Sequence, residues 1–316
     1  MTLDSTPDST PDSNLRGLMT EAANTAIGAI DRMSPLEVVR LMNAEDATVA
    51  GAVARELPVI ARAVAAIAER MRRGGRLIYA GAGTSGRLGA LDAIECPPTF
   101  GIAPERMVAR VAGGSFALDE AAEDCEDSSD AGRSDVARVA AIASDALVAI
   151  TASGRTPYAL GAAREARERG ALVIGLVCNR ETPLHQIATL TIAPDVGPEV
   201  IAGSTRLKAG TAQKMVLNML STATMVALGK TYGNLMVDVQ ATNLKLRERA
   251  LSILAQATGL PRDACEEALV AANGEVKTAI LAVRAHLPPD EARARLARHD
   301  GVLRAALDEA LDESDG

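Results

Sequence analysis

Two short runs of glycine and hydroxyl residues carry the most legible chemistry in this chain. The first, Gly81-Ala82-Gly83-Thr84-Ser85-Gly86-Arg87-Leu88-Gly89, follows an apolar run of strand length and leads directly into a helical pattern. Glycines let a backbone approach an anion closely, and the free N–H groups of a helix N-terminus point towards it. Hydroxyls at Thr84 and Ser85 add donors, so Gly83, Thr84, Ser85 and Gly86 are candidate phosphate ligands. The same letters satisfy G-x-G-x-x-G, the dinucleotide fingerprint. That reading also needs an acidic residue ending the next strand to hold a ribose. The only one near the right distance, Glu105, follows a proline and precedes the next strand-like run.

The second run, Ala152-Ser153-Gly154-Arg155-Thr156-Pro157, again follows a strand-like segment and enters a helix with proline near its first turn. Taken alone, Ser153 and Thr156 read equally well as helix caps. Two such turns at strand C-termini of one sheet converge on one crevice, which favours a phosphate site held by Ser153, Gly154 and Thr156 as well. A third segment, residues 197–208, brings Glu199, Ser204, Thr205 and Lys208 to the entrance of a long helical stretch. There a carboxylate, hydroxyls and a cation occur together, as ligand groups or as an N-cap beside a solvated lysine.

These turns need a scaffold, and the chain supplies one. Apolar runs at residues 76–80, 107–111, 146–151, 172–177 and 189–192 alternate with helical stretches, the pattern of a parallel sheet covered by helices. Before them, residues 14–71 show helical spacing, with Leu15, Leu18, Met19, Ala22, Ala26 and Ile27 in one set and Val53, Leu57, Ile60, Val64, Ile67 and Met71 in another. They predict two or three helices. Residues 202–229 predict one long helix, apolar over much of its surface; its Arg206, Lys208 and Lys214 make it a core or dimer helix and not a membrane span. Beyond Lys245 only short helical patterns remain, broken at Gly259-Leu260-Pro261, Asn273-Gly274 and Pro288-Pro289, which predicts a small module of three to four helices. The expected organisation is a disordered tail at 1–14, N-terminal helices at 15–75, the sheet domain at 76–245 and a helical module at 246–316.

Composition narrows the function classes. The 316 residues are 48% hydrophobic and 23% charged, with 2% aromatics and no Trp, so the core is built from Ala, Val, Leu, Ile and Met. With 33 basic against 41 acidic residues the formal charge is −8, and no basic face interleaved with aromatics argues for nucleic acid. Cys96, Cys125, Cys178 and Cys265 include no C-x-x-C pair, and His185, His286 and His299 lie outside the motifs, so neither a metal site nor a disulfide framework is expected. The acidic, Pro/Ser-rich start has no basic or apolar run of a signal peptide or anchor. A cytoplasmic protein is expected, with no membrane partner.

Beyond these readings, the run LIYAGAGTSGRLGALDAIECPPTF (77–100) resembles the signature of the N-acetylmuramic acid 6-phosphate etherases, a branch of the sugar isomerase (SIS) family. AGGSFALDEAAEDCEDS (112–128), TASGRTPY (151–158), residues 197–225 and residues 229–246 are similar to family segments in the family's order. Residues 20–34 resemble its N-terminal element, and residues 257–281 resemble the small ubiquitin-associated-like fold that the family appends. The resemblance implies an α/β fold: a three-layer αβα sandwich of SIS type on a five-stranded parallel sheet, with N-terminal helices and a small C-terminal helical domain. It also implies a homodimer, no cofactor, and removal of lactate from a phosphosugar ether in peptidoglycan recycling.

By motif, the family's two catalytic glutamates fall on Glu95 and Glu126. One carboxyl would take the C2 proton, made acidic by the neighbouring aldehyde, while the other protonates the departing ether oxygen and later activates water. Glu95 directly precedes Cys96-Pro97-Pro98, so the helix is expected to end there, and its C-terminus together with apolar neighbours would favour the protonated acid. Glu126 stands among Glu120, Glu123, Asp124 and Asp127, a run that otherwise reads as an acidic surface. Ile94 stands where family members commonly carry Ser. Two other functions share the phosphate turns: an aldose-ketose phosphosugar isomerase, and a phosphosugar-sensing regulator in which both glutamates would be dispensable.

Overall fold

The computed structural model describes residues 17–120, 123–239 and 244–314; the tail expected at 1–14 lies outside them. Three helices come first, α1 (Pro35–Asp46), α2 (Val49–Ala54) and α3 (Leu57–Arg72). Strand β1 (Leu77–Gly81) then runs into α4 (Gly83–Phe100), followed by β2 (Met107–Val111), the single turn α5 (Phe116–Asp119) and α6 (Ser129–Arg138). Next come β3 (Ala146–Ile150), α7 (Pro157–Glu168), β4 (Leu172–Leu176), α8 (Pro183–Ile187), β5 (Leu190–Ile192) and the long helix α9 (Lys208–Ala227). A short hairpin of β6 (Thr231–Tyr232) and β7 (Leu235–Met236) precedes α10 (Leu244–Thr258), α11 (Arg262–Ala271), α12 (Val276–Ala285), α13 (Pro289–Arg298) and α14 (Leu303–Ser314).

The five strands form a parallel sheet in the order β2-β1-β3-β4-β5. Strands buried on both faces read as continuous apolar runs, and β1, β3 and β4 are buried at every position. Alternate residues feed two cores. Leu77, Tyr79, Val148, Ile150 and Ile174 pack with α3, α4 and α9 on one face. Ile78, Ala80, Leu147, Ala149 and Val173 meet α6, α7 and α8 on the other. This three-layer architecture is the expected one. A separate core joins α10 to α14 with Val237 and Val239. Among the described residues no helix is long and apolar enough to cross a membrane.

Several local expectations give way to tertiary structure. Residues 18–29 form turns and not the expected helix, because Thr20 is buried and bonded to Asn179 at both backbone and side chain. Among the described residues the C-terminal module has five helices where three to four were expected. Helix α9 begins at Lys208, six residues later than expected. Helix α4 does not end at Glu95. It continues through Pro97 and Pro98 to Phe100, whose ring is buried, and closes on Gly101 in the left-handed region with its N–H on the Pro97 carbonyl. Proline fixes a φ compatible with a helix, and the lost N–H bonds are outweighed by the buried final turn.

Close approach of α6 and α7 depends on two glycines. A β-carbon at Gly161 would lie 2.0 Å from the Ser129 carbonyl oxygen, and one at Gly132 would lie 2.0 Å from that of Tyr158. Gly161→Ala must therefore push the helices apart, and a loss of at least about 2 kcal/mol is expected in urea unfolding. An unchanged midpoint would show that the two backbones are not in contact.

Candidate active site

The sheet reverses its winding direction at β1, since β2 lies on one side of it and β3 on the other. Ligands of open parallel sheets bind in the crevice outside the strand C-termini at such a point. Gly81 and Ile150 are register partners, so the turns leaving β1 and β3 are neighbours there. The first turn enters α4 with Gly83 at φ +52° and no side chain capping the helix. Its N-terminal N–H groups are thus left to another acceptor. Gly86 answers a different need: a β-carbon there would lie 2.5 Å from the Gly81 carbonyl oxygen, so this glycine lets α4 press onto its strand.

In the second turn the Thr151 hydroxyl joins Ser153 at 3.3 Å and Thr156 at 2.8 Å, and the Arg155 N–H donates to Ser153 Oγ at 3.2 Å. Thr156 precedes α7 but makes no side-chain cap bond, so the capping alternative fails for it. Gly154 sits at φ +70° with Thr182 Oγ1 2.3 Å from where a β-carbon would be. The guanidinium Nε of Arg155 is buried beside this turn with no hydrogen-bond partner. Asn179, after β4, donates to the Ala152 carbonyl and to Thr20 Oγ1, both at 2.9 Å, which ties the N-terminal segment to the rim.

The third segment resolves into two parts. Glu199 is fully buried, and its carboxylate accepts the Lys208 and Ala209 N–H groups at 2.9 Å, capping α9. The negative charge suits the positive end of that helix. Lys208 is not solvated but buried, donating to Glu45 on α1 at 2.6 Å. Ser204 and Thr205 are not the cap; their hydroxyls have no partner among the described residues. Helix α9 reaches the first turn through Gly210, whose β-carbon position is 3.6 Å from Thr84 Cγ2, and through Gln213, which accepts the Ser85 hydroxyl at 2.9 Å.

Glu126 belongs to this crevice. A β-carbon at Gly83 would lie 3.9 Å from Glu126 Oε2, and the Glu126 carbonyl accepts the Tyr158 N–H at 3.0 Å in the first turn of α7. The residue therefore touches both turns, its carboxylate beside the first and its backbone carbonyl at the start of α7. Its loop is clamped from each side. Arg87 donates to the Ala117 and Glu120 carbonyls at 2.8 and 2.7 Å, and Ser128 caps α6 through the Ala131 N–H. Arg87 is thus occupied in holding the loop. Asp124 and Asp127 are exposed, as an acidic surface would be, while Glu126 is half-buried.

Glu95 lies elsewhere within the chain. It is exposed on α4, twelve residues past Gly83, which at 1.5 Å per residue is roughly 18 Å along the helix. The expected helix end is also absent at Glu95, so the dipole argument for its protonated form lapses. What fixes this face of α4 is Asp92, one turn earlier. Its buried carboxylate accepts from Tyr79 at 2.8 Å, Asn218 at 2.6 Å and Ser221 at 3.0 Å, with burial raising its pKa against those bonds. Among the described residues, no three His, Cys, Asp or Glu side chains cluster as metal ligands would. A cavity of 1120 Å³ opens in the C-terminal module, but charges lining it pair with each other, as Arg262 with Glu248 and Lys277 with Asp238.

Residues 59–167 match the model of the glucokinase regulatory protein N-terminal SIS domain, residues 122–223 that of the SIS domain, and residues 233–280 that of the C-terminal lid domain of glucokinase regulatory protein. The whole chain has nearer relatives. It is 55% identical to an N-acetylmuramic acid 6-phosphate etherase of Streptomyces coelicolor over 299 residues, 95% of this chain and 96% of that one. This chain belongs to the N-acetylmuramic acid 6-phosphate etherase family. An etherase of Rubrobacter xylanophilus is 55% identical over 94% of this chain and 98% of its own length, and one of Edwardsiella ictaluri 52% identical over 94% and 99%. Family membership thus extends across the sheet domain and the C-terminal module alike.

Thr20, Asn179, Tyr158 and Gln213 escaped the sequence reading. Thr20, Tyr158 and Gln213 lie inside segments that resemble the family, but no residue of the four stands out there by type or spacing, and each role comes from contacts distant in the chain. Gln213 alone left a trace, as an uncharged polar residue between apolar positions of a helix read as core.

Proposed function

We propose that this chain cleaves the D-lactyl ether at C3 of N-acetylmuramic acid 6-phosphate with water, giving N-acetylglucosamine 6-phosphate and D-lactate. The observation that carries this reading is Glu126 between two glycine-hydroxyl turns, its carboxylate beside Gly83 and its backbone bonded to Tyr158, in a chain of the etherase family. The turns suit the phosphate: helix N–H groups and the hydroxyls of Thr84, Ser85, Ser153 and Thr156 are donors an anion can use, with Arg155 beside them. The open-chain sugar then extends its aldehyde end towards the carboxylate. In the first half-reaction a carboxylate takes the C2 proton, the C3–O bond breaks with its electron pair, and the ether oxygen receives a proton and leaves as lactate. Water then adds at C3 of the unsaturated aldehyde while C2 regains a proton. Two carboxyl groups suffice for both halves.

Glu95 fits as the second carboxyl if it acts in the crevice of another copy. Its surroundings favour such contact: Leu91 and Ile94 are 54% and 63% exposed, and Phe116 and Leu118 close to them 56% and 42%. A groove of 680 Å³ runs between α4 and the unpaired edge of β2, lined by Ala90, Ile94, Pro97 and Leu118. Apolar surface of this kind marks an interface, and the reading is a homodimer of a cytoplasmic enzyme serving peptidoglycan recycling.

The test is incubation with N-acetylmuramic acid 6-phosphate, with D-lactate and N-acetylglucosamine 6-phosphate as products, run in labelled water so that oxygen enters at C3 and solvent hydrogen at C2. Folded protein that releases no lactate ends the proposal, and a ketose product would point to an isomerase. Ser85→Ala and Ser153→Ala are each expected to weaken phosphosugar affinity by about 1.5 to 3 kcal/mol, the range for a hydrogen bond to a charged group. Calorimetric titration that finds both unchanged moves the phosphate out of these turns.

A further inference from the structure

The hydrogen bond between Ser85 and Gln213 is arranged against the use of Ser85 as a phosphate donor. Gln213 is fully buried on α9, and its Oε1 accepts the Ser85 hydroxyl at 2.9 Å, so the proton that an anion would want points inward. The other end of the carboxamide, Nε2, is buried with no hydrogen-bond partner. A buried N–H group without an acceptor is costly. The side chain thus satisfies its acceptor at the expense of its donor.

A half-turn of the carboxamide reverses both facts. Nε2 would then donate to Ser85 Oγ over the same distance, and the Ser85 proton would be free to point outward. Serine hydroxyls accept as well as donate, so the pair stays bonded in either sense. Gly210 lies one turn before Gln213 on the same face of α9, where a β-carbon would meet Thr84 Cγ2 at 3.6 Å, so the helix runs close beside the turn whichever way the amide faces.

We infer that Gln213 is a positioning residue for the phosphate: its carboxamide turns over when a phosphate monoester enters the β1–α4 turn, handing the hydrogen bond from Oε1 to Nε2 and releasing the Ser85 O–H to the anion. The inference rests on the phosphate reading of that turn. It adds a residue outside the turn, on a different helix, that decides whether Ser85 is a donor or is already occupied. It also gives the buried nitrogen a role in the liganded state.

The experiment is a double-mutant cycle read by calorimetric binding of N-acetylglucosamine 6-phosphate to the full chain. Gln213→Glu, once ionised, offers only acceptors and holds the Ser85 proton inward; burial raises the pH at which it ionises, so affinity, titrated across pH against wild type, is expected to fall about tenfold or more as the carboxylate forms, as in Ser85→Ala. If Gln213 works through Ser85, Ser85→Ala/Gln213→Glu binds within about threefold of Ser85→Ala alone. A double variant weakened by the product of the two factors, or a Gln213→Glu protein that binds normally, overturns the inference. Unchanged affinity in Ser85→Ala alone overturns the phosphate reading beneath it. A second measurement needs no buried charge: the Gln213 side-chain NH2 resonances, identified by their loss in Gln213→Met, should shift on adding inorganic phosphate to the wild-type protein and stay fixed in Ser85→Ala. Resonances that stay fixed in the wild type refute the turnover.

Discussion

Glu126→Gln is expected to lower D-lactate release by about 100- to 10,000-fold, the span that a positioned proton-transfer group contributes. The substitution keeps the shape of the side chain and removes its capacity to take a proton. Three holds on the loop do not use the carboxylate: the backbone carbonyl meets Tyr158, Arg87 grips the Ala117 and Glu120 carbonyls, and Ser128 caps the next helix. N-acetylglucosamine 6-phosphate should accordingly bind within a few-fold of wild type, and the loss should sit in kcat. An equal fall in both affinity and turnover would mean that Glu126 holds the ligand. Lactate release within tenfold of wild type would remove Glu126 from the chemistry, and the proposed mechanism with it.

The scaffold of that crevice was legible in the sequence because burial on two faces writes continuous apolar runs in β1, β3 and β4, and the partly buried edge strands β2 and β5 fall within the runs beside them. The turns were legible for a related reason. A glycine with positive φ next to a helix start, as at Gly83, is a requirement that few other residues meet. What escaped was set by distant contacts. The spacing of residues 18–29 is helical, yet bonds between Thr20 and Asn179, 159 residues apart, fix turns there. Pro97 and Pro98 read as a helix end, yet the burial of Phe100 carries the helix past them. Glu199 and Lys208 were legible as a charged pair near a helix start, but not that one would cap α9 and the other reach Glu45, 163 residues away. The same limit applies to Glu95. Its motif is plain, but the consequence of twelve residues of helix between it and the candidate phosphate turn is geometric, and it separates Glu95 from Glu126, the two residues that the proposed chemistry joins.

That separation yields a prediction that mixing can decide. Glu95→Gln is expected to abolish lactate release as fully as Glu126→Gln, about 100-fold or more, while phosphosugar binding remains measurable. Exposure on the outer face of α4 makes the substitution harmless to folding, since surface changes away from packing features shift stability little. If each crevice uses Glu126 of its own chain and Glu95 of its partner, a dimer formed from one Glu95→Gln chain and one Glu126→Gln chain contains one site with both changes and one with neither. Mixing the two inactive proteins under conditions that exchange subunits should then restore about a quarter of wild-type activity, because half the dimers are mixed and each has one intact site. Should both carboxyls belong to one chain, every site in the mixture carries one change and no activity returns. The apolar neighbours of Glu95 supply the control: Ile94→Asp, placing a charge on the exposed face, should lower activity in proportion to the monomer it produces, read by sedimentation at the assay concentration. Activity that survives in a monomeric Ile94→Asp protein would require Glu95 to act within its own chain, across a gap that the straight run of α4 does not close.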